Sequence, residues 1–372
     1  MSEVIVHVIT GLNIGGAESM LSKLVSKGNN ADTEDVVISL MSGGELRERI
    51  SGAGVRVEDL GMSRGLPGIA GLFKYFALLR SLEPKVIQGW MYHGNLMAFL
   101  GGLFTFRKIG VFWNVRQCLE NIDREKRLTR LIIRISSVLS PLVDGIVYNS
   151  SRSAADHERV GFSSKKRAVI GNGFDLELFK PDQEKRERIR RRLCVDEFCI
   201  VGGNVARLHP MKDHTNLVSA CEKAMSIDER LHVVLAGRNV DAQSIGVSEK
   251  YLNRFHFLGQ IADVQDFMPG MDFYISSSNS EGFPNVVGEA MSCGLPCAVT
   301  DVGESGVVVG NTGVIVEKEN SEALCRAISS MLTMSAEART SLGQNARASI
   351  KSTFSIHSIC KQYSDLYMSA GN

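Results

Sequence analysis

The chain has 372 residues, 44% hydrophobic and 22% charged, which suits about two packed domains and excludes a disordered or low-complexity chain. Forty-two Lys and Arg against 41 Asp and Glu leave a formal charge of +1, so bulk charge gives no reason to expect nucleic acid as a partner. The longest apolar run, Leu96 to Phe106, falls short of the ~20 residues a membrane-spanning helix needs, no signal-peptide pattern opens the chain, and eight scattered cysteines without a C-x-x-C pair fit a reducing cytoplasm.

Short apolar runs at 4–10, 36–40, 86–88, 110–113 and 145–148 alternate with helical patterns and predict a parallel, doubly wound sheet. A second series at 199–205, 233–236, 255–258, 273–276, 297–300 and 314–316 predicts another. Between them, the turn-rich passage Asn172 to Pro181 leads into the charged run Glu184 to Arg192 and reads as a linker. The expected architecture is α/β, with two Rossmann-like parallel-sheet domains over 1–178 and 179–354 and a last helical pattern over about 355–372. Such sheets hold ligands at the carboxyl ends of their strands.

The motifs fall on those ends. Gly11-Leu-Asn-Ile-Gly15-Gly16-Ala-Glu18 follows the first strand and reads either as a phosphate loop or as a tight turn without a ligand. His93, in Trp90-Met-Tyr-His, is expected in a loop rather than inside a helix, although a lone histidine is usually structural. Trp113-Asn-Val-Arg116 and Tyr148-Asn-Ser-Ser follow later strands and either line an acceptor side or cap helices. Residues 124–135 interleave Arg124, Lys126, Arg127, Arg130 and Arg134 with Leu and Ile, which predicts a basic amphipathic helix, either at a membrane surface or packed on the sheet with a solvated cationic face.

In the second half, Arg207 and Lys212 share one strand-to-helix loop, where a forked and a point cation suit a departing diphosphate; the bland alternative is two solvated cations. Arg238 and Ile261 follow the next two strands. The segment Glu281-Gly-Phe-Pro-Asn-Val-Val-Gly-Glu289 places two carboxylates across a helix start, with Pro284 at the first helical position and Gly294 and Pro296 as the stop. Taken singly, each glutamate reads as a helix-end charge or a solvated side chain. Glu304 either binds a hydroxyl or sits in solvent, with solvent preferred. No Asp-x-Asp pair occurs to hold a divalent cation on a diphosphate.

The Glu281 to Glu289 segment resembles the E-x7-E motif of the retaining GT-B glycosyltransferases of family 4, and the Gly-Gly-Ala-Glu at 15–18 and the Arg-x4-Lys at 207–212 are similar to that family's loops. The resemblance implies two domains facing a central cleft, the first binding the acceptor and the second the donor, with the terminal helix crossing back onto the first. It implies a nucleoside-diphosphate sugar, with UDP preferred to GDP, as donor and a saccharide or lipid-linked saccharide as acceptor. No metal or other cofactor is expected, and the expected location is the cytoplasm, at the inner face of the membrane.

The implied roles run as follows. Arg207 and Lys212 neutralise the leaving diphosphate, and Glu289 accepts from the ribose. Glu281, beside Gly282 and with the backbone of Phe283 and Asn285, fixes the sugar hydroxyls, while His93 supports its reacting end. Gly15, Gly16, Arg238, Ile261 and Val286 line the donor. Two competing readings are a nucleotide-sugar epimerase on the same scaffold and a non-catalytic binding module.

Overall fold

In the computed structural model, which describes residues 3–28, 33–62, 68–105, 109–119 and 121–369, the first strand turns Val6 and Val8 into one core and Ile5 and Ile9 into another. Successive strand residues face opposite ways, so a strand apolar on both faces must be covered on both. The chain separates into two units, one of residues 1–173 with 356–372 and one of residues 174–355.

The first unit carries seven parallel strands: β1 (Glu3–Ile9), β2 (Thr33–Ser39), β3 (Arg56–Asp59), β4 (Val86–Trp90), β5 (Gly110–Val115), β6 (Gly145–Tyr148) and β7 (Arg167–Val169). Their order is β3-β2-β1-β4-β5-β6-β7. The sequence pattern missed β3 and β7, which lie at the two edges of the sheet: β3 is largely polar, as exposed edges tend to be, and β7 is only three residues long.

The second unit carries six parallel strands: β8 (Ile200–Val205), β9 (Leu231–Ala236), β10 (Phe255–Phe257), β11 (Phe273–Ser276), β12 (Cys297–Thr300) and β13 (Gly313–Val316). Their order is β10-β9-β8-β11-β12-β13. Val201, Tyr274 and Val299 fill one core, and Ile200, Phe273 and Ala298 fill the other.

The first crossing falls at 173/174 rather than at the expected 178/179, because Phe174 is buried in the second unit's core and its N–H donates to the Phe354 carbonyl at 2.8 Å. The helix Ile356–Ser369 belongs to the first unit, where Ile356, Ile359, Tyr363 and Tyr367 share a core with Ile5 and Ile9. Residues 370–372 of the expected last helix lie outside the described residues. Buried Arg116 fastens that helix, donating to Tyr363 Oη at 2.8 Å, to Asn114 Oδ1 at 3.2 Å and to the Gly171 carbonyl at 2.9 Å.

Candidate active site

Strand order reverses once in each sheet, between β8 and β11 in the second unit and between β1 and β4 in the first. Beyond the carboxyl ends of two strands whose connections run in opposite directions, nothing covers the crevice, which makes such points the usual ligand sites of open α/β sheets. In the second unit the loop after β8 carries Arg207 and Lys212, and the loop after β11 carries Glu281.

These two loops are fastened together. The Asn279 N–H donates to the Met211 carbonyl at 2.9 Å, Asn279 Nδ2 to the Pro210 carbonyl at 3.2 Å, and Ser277 Oγ to the Lys212 carbonyl at 2.8 Å. Lys212 Nζ is paired with Glu281 Oε1, which also accepts from Ser278 Oγ at 2.8 Å. Both charged side chains are only partly exposed, so their pairing offsets part of what each loses in leaving water. Arg207 is exposed. The neighbouring Leu208 N–H donates to the Arg238 carbonyl at 3.0 Å, and the Gly237 N–H to the Gly259 carbonyl at 2.8 Å. Arg207, Arg238 and Ile261 therefore follow adjacent strands along one edge of the sheet, with Arg238 exposed and Ile261 half-buried.

The predicted helix at 284–293 forms over Asn285–Ser292. Pro284 stands at the N-cap, one place before the expected first helical position; its ψ of 76 is not helical. Gly294 takes the left-handed stop at φ +76. Glu289 and Val286 are half-buried on this helix, while Phe283 is buried beneath it. Glu281, Gly282 and Asn285 are half-buried at its entry.

In the first unit the loop after β1 leads into the helix Gly16–Lys27. The chain bends over residues 13–15, but Gly15 itself has an extended φ of −158 that any residue adopts. A Cβ at that position would lie 2.3 Å from the Glu18 carboxylate, the movable end of a long side chain. Beside Gly16 there is open space. Burial raises the Glu18 carboxyl above its ordinary range, a feature the sequence signals only through its place in the glycine motif.

His93 does not sit in a loop. The helix Met91–Leu103 begins directly after β4, because Met91 makes the whole turn in one residue with φ +60, so His93 occupies the first helical turn at the switch point. Burial lowers its pKa, which favours the neutral imidazole.

Other expectations resolve toward structure. Ser150 Oγ caps the helix Ser151–Arg159 by accepting from the Ser153 N–H at 2.9 Å, and Arg116 is a buried fastener. Glu304 is buried rather than solvated. The expected helix at 124–135 runs instead over Arg127–Leu139, after a 3-10 turn Ile122–Arg124; Glu125 and Lys126 are extended between them. Asn121 closes that turn by accepting from the Asp123 N–H at 2.8 Å. No helix among the described residues is long and apolar enough to cross a membrane.

Residues 199–334 match the family model for glycosyl transferases group 1, and residues 14–178 match that for glycosyltransferase family 4. CapM of Staphylococcus aureus, a capsular polysaccharide biosynthesis glycosyltransferase, is 24% identical over 319 residues, spanning 80% of each chain. The N,N'-diacetylbacillosaminyl-diphospho-undecaprenol alpha-1,3-N-acetylgalactosaminyltransferase of Campylobacter jejuni is 25% identical over 332 residues, spanning 85% of this chain and 86% of its own. Among solved structures, Anabaena HepE in complex with UDP shares the fold with a TM-score of 0.82 at 20% identity, covering 99% of this chain and 100% of that one.

Proposed function

From its membership of the GT-B glycosyltransferases of family 4, to which the chain belongs, we propose that it moves a hexose or N-acetylhexosamine from a nucleoside-diphosphate sugar, UDP ahead of GDP, to a hydroxyl of a saccharide or lipid-linked saccharide. The anomeric configuration is retained, as the resemblance to family 4 implies, and the product enters cell-surface polysaccharide, as the name of the Staphylococcus aureus relative suggests. The enzyme works in the cytoplasm at the inner face of the membrane, with a peripheral contact through the region 124–135.

The observation that carries this reading is the fastening of the Arg207–Lys212 loop to the Glu281–Glu289 segment at the β8/β11 switch point. Lys212 and Arg207 take the diphosphate, whose charge grows as it leaves. Donor entry then exchanges the Lys212 to Glu281 contact for one between Lys212 and phosphate, which frees Glu281 to accept from sugar hydroxyls. Gly282, the backbone of Phe283 and Asn285, and Val286 line the same entry. Glu289 accepts from the ribose; Arg238 and Ile261 line the nucleotide. In the first unit, neutral His93 is assigned to the reacting end of the sugar.

No side chain is needed as nucleophile or base. In a front-face substitution the bond from anomeric carbon to diphosphate oxygen breaks, and the acceptor oxygen bonds to the same face. Its proton passes to the leaving phosphate, so the protein's part is to position and to stabilise charge. Two cations in place of an Asp-x-Asp pair make the reaction independent of divalent metal, and turnover is expected to persist in excess EDTA.

Thermal stabilisation by UDP, GDP, ADP and dTDP tests the site. Ligand at a hundred times its dissociation constant adds about 2.7 kcal/mol. A shift with UDP that is lost in Arg207→Ala is expected; no shift with any nucleotide would sink the assignment. An epimerised sugar formed from donor alone would replace transfer by epimerisation.

A further inference from the structure

The turn that carries His93 is tied down on both sides of it. Met91 reverses the chain with φ +60, a conformation that is strained for a residue with a side chain and persists only where the surroundings fix it. Its Sδ accepts from the Arg116 N–H at 3.4 Å. Before it, buried Trp90 donates from Nε1 to His7 Nδ1 at 3.2 Å. After it, Asn95 Oδ1 accepts from the Asn114 N–H at 3.0 Å, and a Cβ on Gly94 would lie 2.3 Å from the Val8 carbonyl oxygen, so the start of the helix is pressed against β1 and stitched to β5. Within this stretch His93 is the exception: it is half-buried, and among the described residues no group bonds its ring.

Tyr92, the remaining member of the turn, is buried in a polar network. Its Oη lies 2.8 Å from His157 Nε2, and Gln117 Nε2 donates to the same oxygen at 3.0 Å. The proton positions follow from the partners. His157 Nδ1 lies 2.7 Å from the Ser153 carbonyl, which can only accept, so Nδ1 carries the proton, Nε2 is bare and the Tyr92 hydroxyl donates to it. Burial lowers the His157 pKa, which keeps the ring neutral and Nε2 open. The helix Ser151–Arg159 beneath is itself fixed, because Ser153 Oγ donates to the Gln117 carbonyl at 2.6 Å and buried Asp156 accepts from the Leu119 N–H at 3.2 Å. Tyr148 makes the contrast: its ring lies 5.6 Å from the same imidazole, yet its buried hydroxyl has no partner among the described residues. One tyrosine is anchored through its hydroxyl, and the other only packs.

We propose that Tyr92 and His157 are positioning residues for His93: the hydrogen bond from the Tyr92 hydroxyl to His157 holds the strained Met91 turn, and with it the direction in which the unbonded His93 ring is presented at the switch point. Neighbouring side chains on a helix diverge by about 100°, so a tether on Tyr92 orients His93 without covering it. The inference rests on the assignment of His93 to the reacting end of the sugar, and it adds two groups that act on the reaction without touching substrate. A ring displaced by about 1 Å loses reaction geometry, whereas nucleotide binding, assigned to the second unit, is left as it was.

Two readouts on the full chain test it. In an NMR titration of the histidine Cε1–H signals, with the His93 signal identified by its loss in His93→Gln, the wild type is expected to titrate below 6.5 and Tyr92→Phe closer to 6.5, as the released ring reaches water. Tyr148→Phe, the same hydroxyl deletion beside the same imidazole, should leave His93 unmoved. His157→Leu should match Tyr92→Phe, while His157→Gln keeps an acceptor where Nε2 stands and should stay near the wild type. In release of UDP from UDP-glucose, Tyr92→Phe is expected to lower kcat about tenfold, to leave the thermal shift by UDP unchanged, and to add nothing in a His93→Ala background. A His93 titration that stays in place in both Tyr92→Phe and His157→Leu overturns the proposal, and so does a Tyr92→Phe loss that persists in full beside His93→Ala. The titration reads the placement of His93 without turnover. If it moves as expected while no nucleotide shifts the melting temperature, the transferase site alone is removed; if UDP shifts the melting temperature and the titration stays in place, this inference alone is removed.

Discussion

Lys212 is paired with Glu281, so in the proposed site one ammonium would serve two anions in turn. Lys212→Ala removes a cation from the proposed diphosphate site and takes from half-buried Glu281 the charge that it pairs with beside the Ser278 hydroxyl. The expected outcome is a fall in kcat on the order of a hundredfold, the usual effect of deleting one preorganised donor, measured by steady-state release of nucleoside diphosphate. Lys212→Arg keeps the charge but not the compact ammonium that fits beside Ser278, so partial rescue is expected. A wild-type rate in Lys212→Ala would remove the lysine from the reaction. Glu18 was visible only as part of the glycine motif, because its raised carboxyl pKa comes from burial, and burial has no sequence signature in a single glutamate.

The helix Asn285–Ser292 depends on Gly288. A Cβ there would lie 2.0 Å from Cζ of Phe174, whose ring also stacks on Phe283 at 6.2 Å, and Phe354 meets Phe283 edge-on at 5.8 Å. Gly288→Ala is therefore expected to lower the melting temperature through overpacking worth about 1–3 kcal/mol, and to weaken UDP binding by displacing Glu289 next to it. Phe174→Leu in the same chain makes room and should restore part of both. Unchanged stability in Gly288→Ala would show that the ring moves freely. Elements like this helix were readable from their punctuation, and the buried strands from their continuous apolar runs. The edge strands β3 and β7 were not, because β3 holds a single apolar residue and β7 is only three residues long. His93 was expected in a loop because a non-glycine turn at Met91 leaves no Gly or Pro to mark it. Cross-chain fasteners such as Arg116 to Tyr363 depend on tertiary proximity that spacing does not encode.

Across the whole molecule, burial pushes the imidazoles of His93, His157, His214, His232 and His256 below their ordinary 6.5, and His232 reaches about 4 with His256 adding to the effect. The unfolded chain takes up protons near 6.5 while the folded chain resists them. The stability these residues contribute is therefore complete above 6.5 and is lost as the pH falls from there toward the depressed folded values. Melting temperature should drop on acidification across that window, and His232→Gln/His256→Gln should flatten part of the slope; an equal slope in the variant would exclude the pair. The same molecule is also laid out unevenly in time. The second unit is one uninterrupted stretch, whereas the first receives its closing helix only at the end of the chain. As the polypeptide emerges from the ribosome, the second unit is complete while Arg116 still lacks Tyr363 and the core around Ile5 and Ile9 still lies open. The first unit thus closes after the second, and until its helix arrives the unfinished face is the one that chaperones and proteases meet.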